Sequence, residues 1–164
     1  MSKVLVTSGM RFVMFQPDIP QNLGAMMRLS VCFGAPLEVV EPCGFPFSDR
    51  AVRKAAMDYG AEAKVTGHAD WSAFLAAKGP GRLVLLTTKG DRAQWEHDFR
   101  EDDHILLGRE SAGAPDYVHQ AAAAQLRIPL PGGGRSLNVA VAAAVAAAEA
   151  ERQFAAGRSM REPG

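Results

Sequence analysis

The chain has 164 residues, 48% hydrophobic and 22% charged, a composition that fits one globular core and excludes a disordered chain. Lys and Arg total 18, as do Asp and Glu, so any grip on a polyanion must come from a local basic patch or from a surface shared between subunits. No apolar run reaches the roughly 18 residues of a membrane span, which leaves the cytoplasm as the expected compartment.

Short β-rich runs alternate with helical patterns, and this order predicts an α/β fold: a mostly parallel sheet with helices on both faces. Strands are predicted at residues 11–16, 37–41, 63–66, 83–88, 104–107 and 125–129. Helices are predicted at 22–33, closed by Gly34; at 49–59, capped by Ser48 or Asp49; at 70–77; at 115–123, with Pro115 in the first turn; and at 137–154. No repeat or linker divides them, so residues 11–156 read as a single domain. Residues 1–10 precede it as an extension or an expression remnant, and the Gly- and Pro-bearing residues 157–164 read as a frayed tail.

Cys32 and Cys43 sit in apolar sequence without ligand spacing, which predicts buried reduced thiols rather than a disulfide or a zinc site. The four histidines have no HxxxH or HExxH spacing, so no metal is expected.

Ligands of open α/β sheets bind beyond the carboxyl ends of the strands. Three loops there hold residues that folding alone does not require. In QPDIPQNLG, Asn22 is placed to cap a helix whose second turn carries Arg28, a guanidinium suited to a phosphate or a ribose oxygen. In GRESAGAP, Gly108 permits close backbone approach to a ligand and Glu110 can accept hydrogen bonds. In IPLPGGGRSLN, three glycines precede Ser136, read as the cap of the last helix, whose free amides can receive an oxygen-rich group. Neither a GxGxxG fingerprint nor a P-loop is present.

Taken in order, the three loops resemble the motifs of the SPOUT (SpoU-type) RNA 2'-O-methyltransferases: N-x-G-x-x-x-R at Asn22, Gly24 and Arg28; G-x-E-x-x-G at Gly108, Glu110 and Gly113; and I-P at Ile128 and Pro129 followed by S-L-N at Ser136, Leu137 and Asn138. The stretches EPCGFPFSD and LTTKG are similar to those of the branch that methylates the wobble ribose of tRNA. The resemblance implies an α/β fold whose C-terminal segment threads a trefoil knot, and a homodimer with the active site at the subunit boundary. It implies S-adenosylmethionine at Leu86, Gly108, Ile128, Leu130, Ser136 and Leu137, and catalytic roles for Asn22, Arg28, Glu110, Ser136 and Asn138. The implied substrate is C34 or modified U34 of leucine tRNAs. Another tRNA position, rRNA, or a non-catalytic RNA-binding module are the alternatives.

Guanidinium loses its proton only above about pH 12, so Arg28 is expected to act as a charged clamp on phosphate and developing alkoxide rather than as a base. Ala140 departs from relatives that carry Ser or Asn at that place.

Overall fold

The computed structural model describes residues 9–59 and 63–161. Seven strands form one sheet: β1 (Arg11–Phe15), β2 (Leu37–Val40), β3 (Val65–His68), β4 (Leu83–Leu86), β5 (Arg92–Ala93), β6 (His104–Leu107) and β7 (Ala124–Arg127). Their order is β3-β2-β1-β6-β4-β7-β5, and every pairing is parallel. Four helices lie between strands, α1 (Pro20–Phe33), α2 (Asp49–Tyr59), α3 (Trp71–Ala77) and α4 (Asp116–Ala121), and α5 (Val139–Arg161) follows the last strand.

Both faces of the sheet are covered, because the central strands are apolar on both sides. On one face Phe12, Met14, Leu37 and Val39 meet Met26 and Met27 of α1 and Ala143, Ala146, Ala147 and Ala150 of α5. The small side chains of α5 keep its backbone close to the sheet, so the alanine stripe is spent on internal packing. On the other face Val13, Phe15, Val40, Leu85 and Leu106 pack against Phe74 of α3 and Val118 of α4.

Helix ends differ from expectation at several places. Asn22 does not cap α1: the helix starts at Pro20, whose missing N–H costs nothing in the first turn, and its cap Ile19 makes no side-chain bond. Ser136 does not cap α5 either. That helix begins at Val139, and Asn138 Oδ1 accepts from the amides of Ala140 and Val141 at 2.9 and 3.3 Å. Ser48 Oγ and Asp70 Oδ1 cap α2 and α3 by accepting from Ala51 N and Ala73 N. Pro115 is the cap of α4 rather than part of it, and α4 ends early because Ala123 N already donates to Leu83 O at 2.8 Å, joining the sheet.

Strand β3 lies two residues later than its pattern indicated. Gly67, just beyond the predicted strand, is an edge-strand residue whose bare face receives the Phe47 ring; a Cβ there would stand 2.8 Å from Phe47 Cε1. Strand β5 and the single 3-10 turn at Gln94–Glu96 are too short to leave a pattern and were not expected. Residues 157–161 continue α5 rather than fraying; 162–164, like residues 1–8 of the expected 1–10 extension, lie outside the described residues, and Met10, placed in that extension, is fully buried in the core. Cys32 is exposed rather than buried, because it falls four residues after Arg28 on the outer face of α1; Cys43 is half-buried, and both are free thiols. No helix among the described residues is long and apolar enough to cross a membrane.

Candidate active site at the carboxyl edge of the sheet

The carboxyl ends of β1, β4, β6 and β7 open into a cleft of about 760 Å³. Leu86, Gly108, Ile128, Leu130, Ser136 and Leu137 all line it, as do Asn22, Glu110 and Asn138. Arg28 does not line it; the side chain is exposed on α1, one helical face with Val31 and Cys32.

A chain of hydrogen bonds ties the three loops together. Asn138 Nδ2 donates to Asn22 Oδ1 at 3.0 Å, and Asn22 Nδ2 donates to Glu110 Oε1 at 3.0 Å. The backbone N–H of Asp18 donates to Glu110 Oε2 at 2.8 Å, and the Ser111 hydroxyl donates to the Asp18 carboxylate. Asn22 is buried inside the first turns of α1, so its amide, being both donor and acceptor, is the piece that joins the Glu110 loop to the Asn138 cap.

Burial pushes the Glu110 carboxyl above its ordinary range, and the side chain of Asp18 adds to that; the Asp18 N–H and the Asn22 amide pull the other way. Asp18 is held below the usual carboxylate range by hydrogen bonds from Glu110 and then from Ser111. As pH falls, Glu110 therefore takes up a proton before Asp18 does. Cys43 lies in the same neighbourhood, and burial, followed by the charges of Glu41 and Glu110, pushes its thiol up to about 11, which leaves it unreactive.

Two loop shapes define the cleft wall. Arg109 and Gly113 exchange backbone hydrogen bonds at 3.1 and 2.9 Å, closing the loop on Gly113, whose φ of 68° suits glycine. Gly108 lies against that loop so closely that a Cβ would stand 2.7 Å from Ala114 N and from Gly113 C. On the opposite side Thr87 turns the chain, its Oγ1 accepting from Lys89 N at 3.2 Å and standing 3.1 Å from His119 Nε2.

Lys89, Arg109, Arg127 and Arg135 line the cleft against the single carboxylate Glu110, so a chain of zero net charge carries a local basic patch. Sequence reasoning missed Asp18 and this cationic set. The acidic residue inside QPDIPQN and the lysine of LTTKG were the available signals, but which cations share a rim is decided by the sheet order. No group of three or more His, Cys, Asp or Glu side chains among the described residues could hold a metal ion.

Among the described residues, a seven-stranded parallel sheet flanked by five helices thus carries a polar-lined cleft at its carboxyl edge. The SpoU rRNA Methylase family model matches residues 9–148, and the chain belongs to that family. It is 49% identical over 119 residues to the tRNA (cytidine(34)-2'-O)-methyltransferase of Beijerinckia indica, covering 71% of this chain and 74% of that one. Among solved structures, one described as "Structural insights into the 2-OH methylation of C/U34 on tRNA" superposes with a TM-score of 0.81 at 38% identity, covering 90% of this chain and 97% of the other. The SpoU methyltransferase AviRb from Streptomyces viridochromogenes, in complex with the cofactor AdoMet, gives a TM-score of 0.70 at 28% identity, over 94% of this chain and 64% of that one.

Proposed function

We propose that this protein transfers a methyl group from S-adenosylmethionine to the ribose 2'-hydroxyl of the wobble nucleotide of tRNA, C34 or modified U34, working in the cytoplasm as a homodimer. The observation that carries the reading is the convergence of three distant loops on one cleft through the Asn138, Asn22 and Glu110 hydrogen bonds. The wobble-methylating relatives match this chain over about three quarters of their length, which favours that substrate over rRNA.

The cleft fits the methyl donor. Gly108 keeps one wall at backbone level, where any Cβ would collide with the loop, and Leu86, Ile128, Leu130 and Leu137 offer apolar surface to a purine. When bound, S-adenosylmethionine supplies an electrophilic methyl group on a sulfonium. Asn22 and Glu110 hold the Gly108 loop and the α5 cap in register, so the wall is preorganised before RNA arrives. Lys89, Arg109, Arg127 and Arg135 attract the phosphates. Transfer would move the methyl group from the sulfonium to the ribose oxygen, leaving neutral S-adenosylhomocysteine, with the hydroxyl proton released to solvent at the cleft mouth.

Arg28 is exposed on α1 and does not line the cleft of its own protomer. Its face also carries Val31, 42% exposed, and α5 leaves Val141 48% exposed, apolar surface that suits a subunit contact. In this reading Arg28 of one protomer clamps a phosphate and the developing alkoxide over the cleft of the other. The C-terminal segment is threaded as a knot, a reading supported by Gly90, where a Cβ would lie 2.4 Å from Arg127 N and Leu126 C, so two chain segments cross with no space between them.

Calorimetry with S-adenosylmethionine, then nucleoside analysis of tRNA treated with the protein, tests this function. Binding and a 2'-O-methylated pyrimidine are expected. Binding of tRNA without any affinity for S-adenosylmethionine would make the protein a non-catalytic RNA-binding module.

A further inference from the structure

Beside the cleft, on the α3 and α4 side of the sheet, stands a cluster of aromatic rings that the methyl-transfer chemistry does not use. The Phe15 ring, buried at the end of β1, has Trp71 edge-on at 5.6 Å and Tyr117 edge-on at 6.1 Å, and Trp71 and Tyr117 are 6.2 Å apart. The Arg109 guanidinium carbon lies 5.5 Å from the centroid of the Phe15 ring. Two of the three rings serve the core. Tyr117 does not: 49% of it is exposed, although its neighbour Val118 is fully buried.

A large ring left half in water, braced by two others so that its orientation is fixed, loses little conformational freedom when something flat lies on it. Phe15, which braces it, also carries the Arg109 guanidinium, and Arg109 lines the cleft. Aromatic surface continuous with a guanidinium is the combination that holds an unpaired nucleobase and its phosphate. The other cations of the cleft, Lys89, Arg127 and Arg135, outnumber its one carboxylate, Glu110, and this excess of positive charge favours a polyanion.

We propose that Tyr117, on the same aromatic cluster that carries Arg109, is a stacking platform for an unpaired base of the RNA next to the target nucleotide. The proposal rests on the RNA-methylating function argued above. Stacking would pull that base out of the loop's own stack, and Arg109 would take the phosphate between it and the methylated ribose. Tyr117 then sets affinity and register for RNA without touching the methyl donor.

The test uses the full-length protein saturated with S-adenosylhomocysteine and a synthetic anticodon stem-loop carrying a fluorescent adenine analogue beside the wobble position. The wild type should bind the stem-loop and quench the analogue. Tyr117→Ala should weaken binding about tenfold and abolish the quench, in line with the loss of one base–aromatic stack. Tyr117→Phe should restore both, and calorimetry should give wild-type S-adenosylmethionine affinity for both variants. If Tyr117→Ala binds and quenches like the wild type, the platform is overturned while the methyltransferase reading stands. A wild type that binds no stem-loop overturns both. A changed sedimentation coefficient in Tyr117→Ala with unchanged RNA affinity makes the ring a protein contact and overturns the proposal.

Discussion

Asn22 and Glu110, 88 residues apart in the chain, are joined by a 3.0 Å hydrogen bond from the amide to the carboxyl, and the same amide accepts from Asn138 at 3.0 Å. One buried side chain thus holds two loops that fold into place at very different points in the sequence. Replacing it with alanine strands an acceptor on Glu110 and a donor on Asn138. Leaving buried polar groups unpaired costs about 1–3 kcal/mol. Asn22→Ala should therefore melt roughly 3–10 °C below the wild type in a thermal scan, the range expected for a domain of this size. S-adenosylmethionine affinity should fall with it; a variant with unchanged melting and affinity would show that the bond organises nothing.

Gly108 tests the wall of the cleft. A single added carbon would press on the backbone of Gly113 and Ala114, which is closed on itself by the Arg109 and Gly113 bonds and cannot yield cheaply. Gly108→Ala should cost at least about tenfold in S-adenosylmethionine affinity, and Gly108→Val should abolish it, because backbone approach is lost. Far-ultraviolet circular dichroism should show the fold retained. Full affinity in Gly108→Val would place the methyl donor elsewhere.

Arg28 tests the shared site. A lysine keeps the charge and loses the bidentate fork, so Arg28→Lys should keep clearly more activity than Arg28→Ala, with donor affinity unchanged in both. Mixing Arg28→Ala protomers with Gly108→Val protomers should restore activity if the arginine acts across the boundary, since one cleft of each hybrid then has both an intact wall and a partner arginine. No recovery in verified hybrids would confine Arg28 to its own protomer. Val31→Glu should produce a monomer in sedimentation and lose activity with it.

Acid stability depends on a group at the opposite end of the sheet. Asp103 is fully buried and takes a fork from Arg82, Nε at 2.9 Å and Nη2 at 2.8 Å, with the Arg100 N–H at 2.9 Å; His97 stands off at 3.7 Å. Burial alone would raise its pKa, but the nearby His97 ring, the Arg82 fork and the Arg100 N–H outweigh it, and the carboxyl is held down at about 2. A depressed carboxyl stabilises the fold above its unfolded pKa and loses that contribution as pH falls through the folded value. About 2 kcal/mol should therefore vanish between pH 4 and pH 2. Asp103→Asn should be less stable than the wild type in urea at neutral pH, and the gap should narrow across that window. A gap constant from pH 7 to pH 2 would remove the carboxylate from the account.

Much of the fold was legible because alternating apolar runs and helical periods do not depend on distant residues. The segments now seen as β1, β2, β4, β6 and β7 follow that alternation closely. The two-residue β5 carries no period, and nothing local places Gly67 in β3, where the Phe47 ring lies against it. Among the site residues, the three motif loops could be read, but their partners could not. Asn22 and Ser136 looked like caps from local sequence, whereas tertiary bonds gave Asn22 to Glu110 and left the capping of α5 to Asn138. Asp18 and the ring of cations around the cleft depend on strand order, which no local pattern encodes.

The central claim, methyl transfer to the wobble ribose, is tested most directly with two synthetic anticodon stem-loops that differ by one oxygen. Each is incubated with the protein and S-adenosylmethionine and sequenced by fragment mass spectrometry. The all-ribose stem-loop should gain one methyl group at nucleotide 34, and the stem-loop with 2'-deoxyribose at 34 should gain none. Methylation of the deoxy stem-loop, or of the all-ribose stem-loop at another nucleotide, would contradict the account.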